Sequence, residues 1–285
     1  MPALAAATRQ TRTMPITRVR GVEAHATEDQ VSAEEPLEIR LAYTLRGESR
    51  LQRLAVTMRT PGHDAELAVG FLVSEGAVRA PQDIFAVESA PLQGGQTDPN
   101  IVVVRLAEHT TFDVGRLERH VYTTSSCGVC GKASLEAVGV AGAPVLPPGP
   151  TLTAATIHAL PRTLRAAQAV FEQTGGLHAA ALFTPRGALV RVREDVGRHN
   201  ALDKLVGSFF LDGRTVPPAH LLFVSGRASF ELAQKALMAG ISVLAAVGAP
   251  SSLAVDLADE FGMTLLGFVR DDRFNVYAGA ERLTL

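Results

Sequence analysis

The second half of this chain alternates short apolar runs with amphipathic stretches, and that alternation restricts its fold more than any other feature. Residues 221–224, 241–247 and 264–269 are apolar runs too short for helices and bounded by turn residues. Between them, 229–239 reads as a helix closed by Gly240, and 252–261 as a helix closed by Gly262. Strand, helix, strand, helix, strand predicts a parallel α/β sheet. Upstream, 177–183 and 188–192 predict two strands joined in a hairpin by Pro185-Arg186-Gly187. The 3-4-3-4 spacing of Ile157, Leu160, Leu164, Ala167 and Phe171 predicts one amphipathic helix.

The first 110 or so residues read mainly as strands. Leu37, Ile39 and Leu41 alternate with Glu38 and Arg40, and Leu54, Val56 and Met58 alternate in the same way. Thr60-Pro61-Gly62 breaks the run. A helix is expected from 64 to about 75, with Leu67, Phe71 and Leu72 on one face and Asp64 and Glu66 at its positive end. Residues 94–100 read as a polar loop and 101–104 as a strand. The expected organisation is a disordered tail over 1–14, a smaller strand-rich domain over 15–118, and an α/β domain over 119–285.

With 285 residues, 47% of them hydrophobic, the chain can bury a sizeable core and is not a disordered protein. Its 27 basic and 29 acidic residues give a net charge of −2, which excludes an overall electrostatic grip on nucleic acid but not a local basic pocket. Aromatics make up only 5%, without tryptophan, so base-stacking platforms for single strands are not expected. No apolar run approaches the roughly 20 residues that span a bilayer. The N-terminus lacks the apolar block of a secretory signal. It carries four arginines and no acid in 20 residues, and it reads as a solvated tail rather than a transit peptide.

The two cysteines, Cys127 and Cys130, form a single C-x-x-C, which rules out a disulfide framework and suits a reducing, cytoplasmic setting. Each is followed by glycine, Thr123-Thr124-Ser125-Ser126 precedes them, and Lys132 with an expected helix through Ala133, Leu135 and Val138 follows. Uncrowded sulfurs near a helix N-terminus and a lysine favour thiolate over thiol. Four readings stay open on these residues: half a zinc site, a thioredoxin-like redox pair, a persulfide carrier, and an unreactive loop pair.

Three further clusters carry polar chemistry. In Gly175-Gly176-Leu177-His178-Ala179-Ala180, a zinc deaminase would place glutamate where Ala180 stands, and its C-x-x-C would follow the histidine rather than precede it. Deamination is therefore disfavoured, and His178 reads as a core histidine. The run from Arg191 to Lys204 packs arginines and acids between a strand and a helix, and suits either an anionic ligand or a solvated turn. Phe268, Val269, Arg270, Asp271, Asp272 and Arg273 follow the last long strand, where open α/β sheets bind ligands. Arg270 and Arg273 suit phosphates there, and Asp271 or Asp272 suits the N–H groups of a guanine edge. Ser225-Gly226-Arg227 follows another strand and suits the same face.

SSCGVCGK at 125–132, GGLHAAAL at 175–182, REDVGRHNALDKLVG at 193–207, SGRASFELAQKALMAGISVLAA at 225–246, APSSLAVDLA at 249–258 and GFVRDDRFNVY at 267–277 resemble the FdhD family of formate dehydrogenase accessory sulfurtransferases, as does TPGHDAELAVGFLVSEG at 60–76. The resemblance runs colinearly over about residues 15 to 285. It implies a cytidine-deaminase-like α/β fold and a homodimer. It also implies that sulfur is accepted from a cysteine desulfurase as a persulfide and passed to a bis-molybdopterin guanine dinucleotide molybdenum cofactor, bound as substrate, before insertion into formate dehydrogenase. By position, Cys127 would bear the persulfide and Cys130 would assist. Residues Phe268 to Arg273 would contact the guanine nucleotide part, for which GDP is a mimic, and no metal is permanently bound. A cofactor-binding chaperone that moves no sulfur is the alternative from another class.

Overall fold

The computed structural model describes residues 10–91, 96–110 and 143–284. Cys127, Cys130, the helix expected after them and the Gly94-Gly95 pair lie outside the described residues.

Strands β1 (Thr11–Arg20) and β2 (Glu23–Ser32) form an antiparallel hairpin. Residues 11–14, expected in the solvated tail, are therefore already paired in β1. Next come β3 (Glu35–Leu45), β4 (Glu48–Arg59), α1 (Asp64–Ser74), β5 (Ile84–Pro91) and β6 (Thr97–Leu106). They make a four-stranded sheet in the order β4-β3-β6-β5, with β3 and β6 parallel. Because β6 begins at Thr97, which pairs with Pro91, the second half of the expected polar loop is strand.

The second half supplies β7 (Leu152–Thr153), α2 (Ala154–Ala167), α3 (Ala169–Thr174), β8 (His178–Phe183), β9 (Leu189–Asp195), α4 (Arg198–Leu211) and β10 (Leu221–Val224). Then follow α5 (Phe230–Met238), β11 (Val243–Ala246), α6 (Ser252–Glu260), β12 (Thr264–Gly267), β13 (Asn275–Ala278) and β14 (Leu283–Thr284). Six of these strands form one sheet in the order β13-β12-β11-β10-β8-β9. The fold is mixed α/β. Within this sheet β10, β11 and β12 are parallel, as the strand–helix alternation predicts, and the flanking strands run antiparallel. The connections explain it. β8 and β9 join through the tight turn at Gly187, and β12 and β13 through a short turn, neither long enough for a parallel crossover.

The central strands are buried on both faces, as their unbroken apolar runs require. Leu222, Val224, Leu244, Ala246 and Leu265 face a large core shared with Leu37, Leu67, Leu72, Val104, Leu205 and Phe209. Leu221, Phe223, Val243, Ala245 and Leu266 face a smaller core under α2 with Ile157, Leu160 and Leu164.

Two local readings are corrected by pairing that lies outside the local sequence. In β4, Ile39 faces Ala55 while Arg40 faces Arg53, so Leu54 is an extra residue in a bulge. The bulge reverses the side-chain phase, which turns Val56 and Met58 outward (41% and 47% exposed) while Leu54 and Arg59 are fully buried. The predicted helix running on to Phe171 stops at Ala167. Gln168 leaves helical geometry, and the Glu194 carboxylate from β9 accepts the N–H groups of Val170 and Phe171 at 3.1 and 2.8 Å to start α3 anew.

Helices α1 and α4 cross at backbone contact. A Cβ built on Gly70 would enter the carbonyl of Asp203, and one on Gly207 the carbonyl of Glu66. Here glycine is required by proximity, not by a left-handed backbone. Gly207→Ala must drive the helices apart and should destabilise the fold by about 2 kcal/mol or more. Urea denaturation measures this, and an unchanged midpoint would contradict the crossing.

Candidate functional site

The parallel strands β10, β11 and β12 end on one edge, and the loops there are knitted together. Gly248 donates its N–H to Gly226 O at 2.8 Å, Phe268 to Gly248 O at 3.1 Å, and Val269 to Ala246 O at 3.1 Å. A side chain on Gly248 would meet the Arg227 backbone at 2.9 Å, so only glycine permits this approach. Two helices start from the same loops. The Ser251 hydroxyl accepts the N–H of Ala254 in α6 and of Phe230 at the start of α5, at 3.3 and 3.1 Å. Two positive helix ends therefore point at this edge.

The predicted segment 268–273 is part of it. Phe268 sits at φ +54°, a strained position for a bulky residue, and holds its ring 42% exposed. Val269 is fully buried in the smaller core, so its side chain anchors the turn from below. Arg270 is exposed, but its guanidinium donates to Val247 O at 2.7 Å and Val269 O at 2.8 Å. Its N–H closes the turn onto Arg273 O. Asp271, Asp272 and Arg273 project into solvent. Arg227, on the neighbouring loop, is also exposed, and among the described residues neither Arg227 nor Arg273 has a side-chain hydrogen bond or ion pair.

Val247 also lines a cavity of about 460 Å³, together with Gln168, Phe171, Gly175, Gly176, His178 and Ser225. The expected core histidine is thus corrected. His178 begins β8 at the strand end and is only partly buried in the cavity wall, beside Gly226. Burial first, then the nearby Arg198 cation, hold its pKa below the ordinary imidazole value against the pull of Asp195, so it is neutral near pH 7. Ser225 Oγ accepts the Ala179 N–H at 2.9 Å and ties β10 to β8 at the cavity floor. The Arg165 guanidinium lies 4.3 Å over the Phe171 ring. Gln168 is 5% exposed, and its Nε2 finds no partner among the described residues. Sequence reasoning missed Gln168, since it stood inside what read as a continuous helix.

The Arg191–Lys204 run turns out to be neither ligand loop nor solvated turn. Lys204 and Asp195, both fully buried, pair at 2.7 Å, and Lys204 also donates to Thr60 O at 2.8 Å. Asn200 donates to Met58 O and to Asp195. Arg193 makes a two-pronged pair with Glu66. These groups fasten residues 58–66 to β9 and α4. Behind them, Lys235 holds both oxygens of Asp203 at 3.0 and 2.8 Å, and Ser74 donates to the same carboxylate. Burial alone would lower the Lys235 pKa, but Asp203, Glu231 and Glu75 raise it.

Only Arg198 and His199 of the run turn toward the candidate edge. The Arg198 Nε is buried without a partner among the described residues. His199 Nε2 lies 3.4 Å from Ser229 Oγ and 3.2 Å from Glu231. Burial and the cations Lys235 and Arg198 lower the His199 pKa to about 3.

Comparison with known proteins follows from this geometry. Residues 32–284 match the model of the FdhD/NarQ family. A protein named sulfur carrier protein FdhD from Streptomyces avermitilis is 53% identical over 282 residues, covering 97% of both chains. One of the same name from Mycobacterium tuberculosis is 51% identical over 274 residues, covering 91% of this chain and 96% of its own. A solved structure from Desulfotalea psychrophila, named as a formate dehydrogenase accessory protein, superposes with a TM-score of 0.73 at 23% identity. It covers 97% of this chain and 100% of that one, and shares the fold. Among the described residues no helix is long and apolar enough to cross a membrane.

The state of His199 has a measurable consequence. Unfolded, the imidazole takes its proton near 6.5, and folded only near 3. Its contribution to stability is full above about 6.5 and is lost as pH falls toward about 3. His199→Gln should flatten the fall in urea stability between pH 7 and pH 5, by up to about 1.4 kcal/mol per pH unit. Equal slopes in both proteins would contradict the assignment.

Proposed function

The chain belongs to the FdhD/NarQ family, and from that premise we propose that it is a sulfurtransferase carrying persulfide sulfur from a cysteine desulfurase to a bis-molybdopterin guanine dinucleotide molybdenum cofactor destined for formate dehydrogenase. Cys127 thiolate attacks the outer sulfur of the desulfurase persulfide. The sulfur–sulfur bond there breaks, the desulfurase thiolate leaves, and Cys127 holds the persulfide. At delivery, Cys130 thiolate attacks the inner Cys127 sulfur. A Cys127–Cys130 disulfide forms, and the outer sulfur departs at the sulfide level to the cofactor. A cellular dithiol then reduces the disulfide and restores the pair. The glycines after each cysteine leave both sulfurs open to two large partners in turn.

The cofactor docks as substrate on the C-terminal edge of β10, β11 and β12. The single observation that supports this dock is the meeting of two unpaired guanidinium groups, Arg227 and Arg273, with the N-termini of α5 and α6 beside the 460 Å³ cavity. A polyanion needs such a local field, which a net charge of −2 does not otherwise provide. Phe268 offers its exposed ring to a flat base, and Arg270 shapes the turn beneath it. The protein is proposed to act in the cytoplasm, as a homodimer.

Cys127→Ala should abolish maturation of formate dehydrogenase while leaving GDP binding intact. Full maturation by the variant would reject the carrier and leave the cofactor-binding chaperone. Arg227→Gln and Arg273→Gln should each weaken GDP binding by roughly tenfold, the worth of a charge-assisted hydrogen bond. Calorimetric affinities equal to the wild type would reject the dock.

A further inference from the structure

The cavity at the strand ends is lined by polar groups with bonding capacity to spare. Gln168 is the clearest case. Its backbone is satisfied, since its N–H donates to Arg165 O at 3.3 Å and its carbonyl accepts the Glu172 N–H at 3.0 Å. The residue is 5% exposed and lines the cavity, yet among the described residues its Nε2 meets no acceptor. A buried amide nitrogen without a partner is costly, and folded chains rarely keep one. Ser225 Oγ accepts the Ala179 N–H, and no described residue accepts the hydroxyl's own proton. The His178 ring, neutral near pH 7, makes no hydrogen bond among the described residues.

These three groups share a character. An amide, a neutral imidazole and a hydroxyl each both donate and accept, and none brings a charge. Pro161, Leu164, Phe223 and Val247 add apolar wall. The lining cation, Arg165, is engaged by Glu172 at 3.4 Å and by the Phe171 ring. Such a cavity suits a neutral, flat heterocycle with donors and acceptors along its edge. A phosphate is better served by the free guanidinium groups outside. The volume, about 460 Å³, falls within the roughly 300–1,000 Å³ of small-molecule sites. A half-turn of the Gln168 amide exchanges its nitrogen and oxygen, so the group can meet a ring edge that offers C=O beside N–H.

We propose that this cavity is a pterin subsite, in which the Gln168 amide pairs with the amide edge of the ring and Ser225 and His178 complete its recognition. The assignment rests on the cofactor dock proposed above and divides that dock in two, one subsite for each ring system. Pterin and guanine share an amino-oxo-pyrimidine edge, so placement distinguishes them. The guanine end belongs to the exposed Phe268 ring. The hydrogen-bonded chain Gly226–Gly248–Phe268 runs to that ring from the loop of the cavity residue Ser225, and Arg227 packs on it at Gly248. Val247 joins the two subsites as well, lining the cavity while its carbonyl accepts from Arg270. A molecule with a ring at each end and phosphates in its middle matches a neutral cavity, a free arginine and an exposed phenyl ring in that order.

Fluorescence titration of the full chain with neopterin, a neutral pterin, tests this, alone and with GDP at saturation. The wild type should bind neopterin equally well in both, because the two rings occupy separate subsites. Gln168→Leu should weaken neopterin binding about tenfold, the loss of a pairing on a buried edge, and leave the calorimetric GDP affinity unchanged. Its urea midpoint should not fall, since the change removes a buried unpartnered amide, whereas loss of a structural amide would lower it. Arg273→Gln should do the reverse, weakening GDP and sparing neopterin. Three results would each overturn the subsite and leave the dock standing: GDP binding without neopterin binding, competition between the two, or a Gln168→Leu protein that loses GDP rather than neopterin. The wild-type competition decides even if the variant does not fold. A wild type that binds no GDP would overturn both the dock and the subsite that rests on it.

Discussion

Lys204 reaches from α4 into a site with no water access, pairs with Asp195 and donates to the carbonyl of Thr60. The rest of the molecule is arranged around that contact. A buried pair of this kind adds little net stability, because desolvation offsets most of the attraction. Its effect is on specificity, since either partner alone would be an uncompensated buried charge. The turn after β4 can therefore dock only where Asp195, Lys204 and Asn200 await it. The Arg59–Asp64 pair then sets the start of α1, and the glycines of the crossing let α1 settle on α4 at backbone distance. The two sheets share one core because this fastening admits no other arrangement.

That rigidity has a use at the other end of α4. The helix begins with Arg198 and His199 beside the loops that follow β10, where Arg198 lies near Gly226 and His199 near Ser229. The loops forming the edge are held by backbone hydrogen bonds and by Ser251, which caps one helix and the first turn of another. Two of their three arginines are thereby left free. Arg270 is spent on carbonyls, while Arg227 and Arg273 are not. A chain of nearly neutral net charge thus leaves two guanidinium groups together on the edge where the proposed dock lies, while Lys204, Lys235, Arg59 and Arg193 are held in internal pairs.

Much of this was legible in the sequence where the cause is local. The boundaries of β10 to β12 and of α5 and α6 follow from short apolar runs closed by Gly240 and Gly262, both at positive φ. The turn at 268–273 was identifiable because it follows a strand. The rest depended on distant partners. The bulge at Leu54 exists only in its pairing with β3. The break at Gln168 depends on Glu194 arriving from β9. The dense charges after Arg191 read equally as a ligand loop or a solvated turn, because Met58 and Thr60, which lie more than 130 residues away, complete them. Burial of Val269 within an otherwise exposed segment follows from side-chain alternation meeting the smaller core.

The central claim is that Cys127 carries sulfur. Intact mass spectrometry tests it most directly, on the purified protein before and after incubation with a cysteine desulfurase and free cysteine, with Cys127→Ala alongside and peptide mapping of any adduct. The account predicts a gain of one or more sulfur atoms on Cys127, removed by reduction and absent from the variant. No gain on free cysteines with an active desulfurase, or a gain mapping elsewhere, would contradict it.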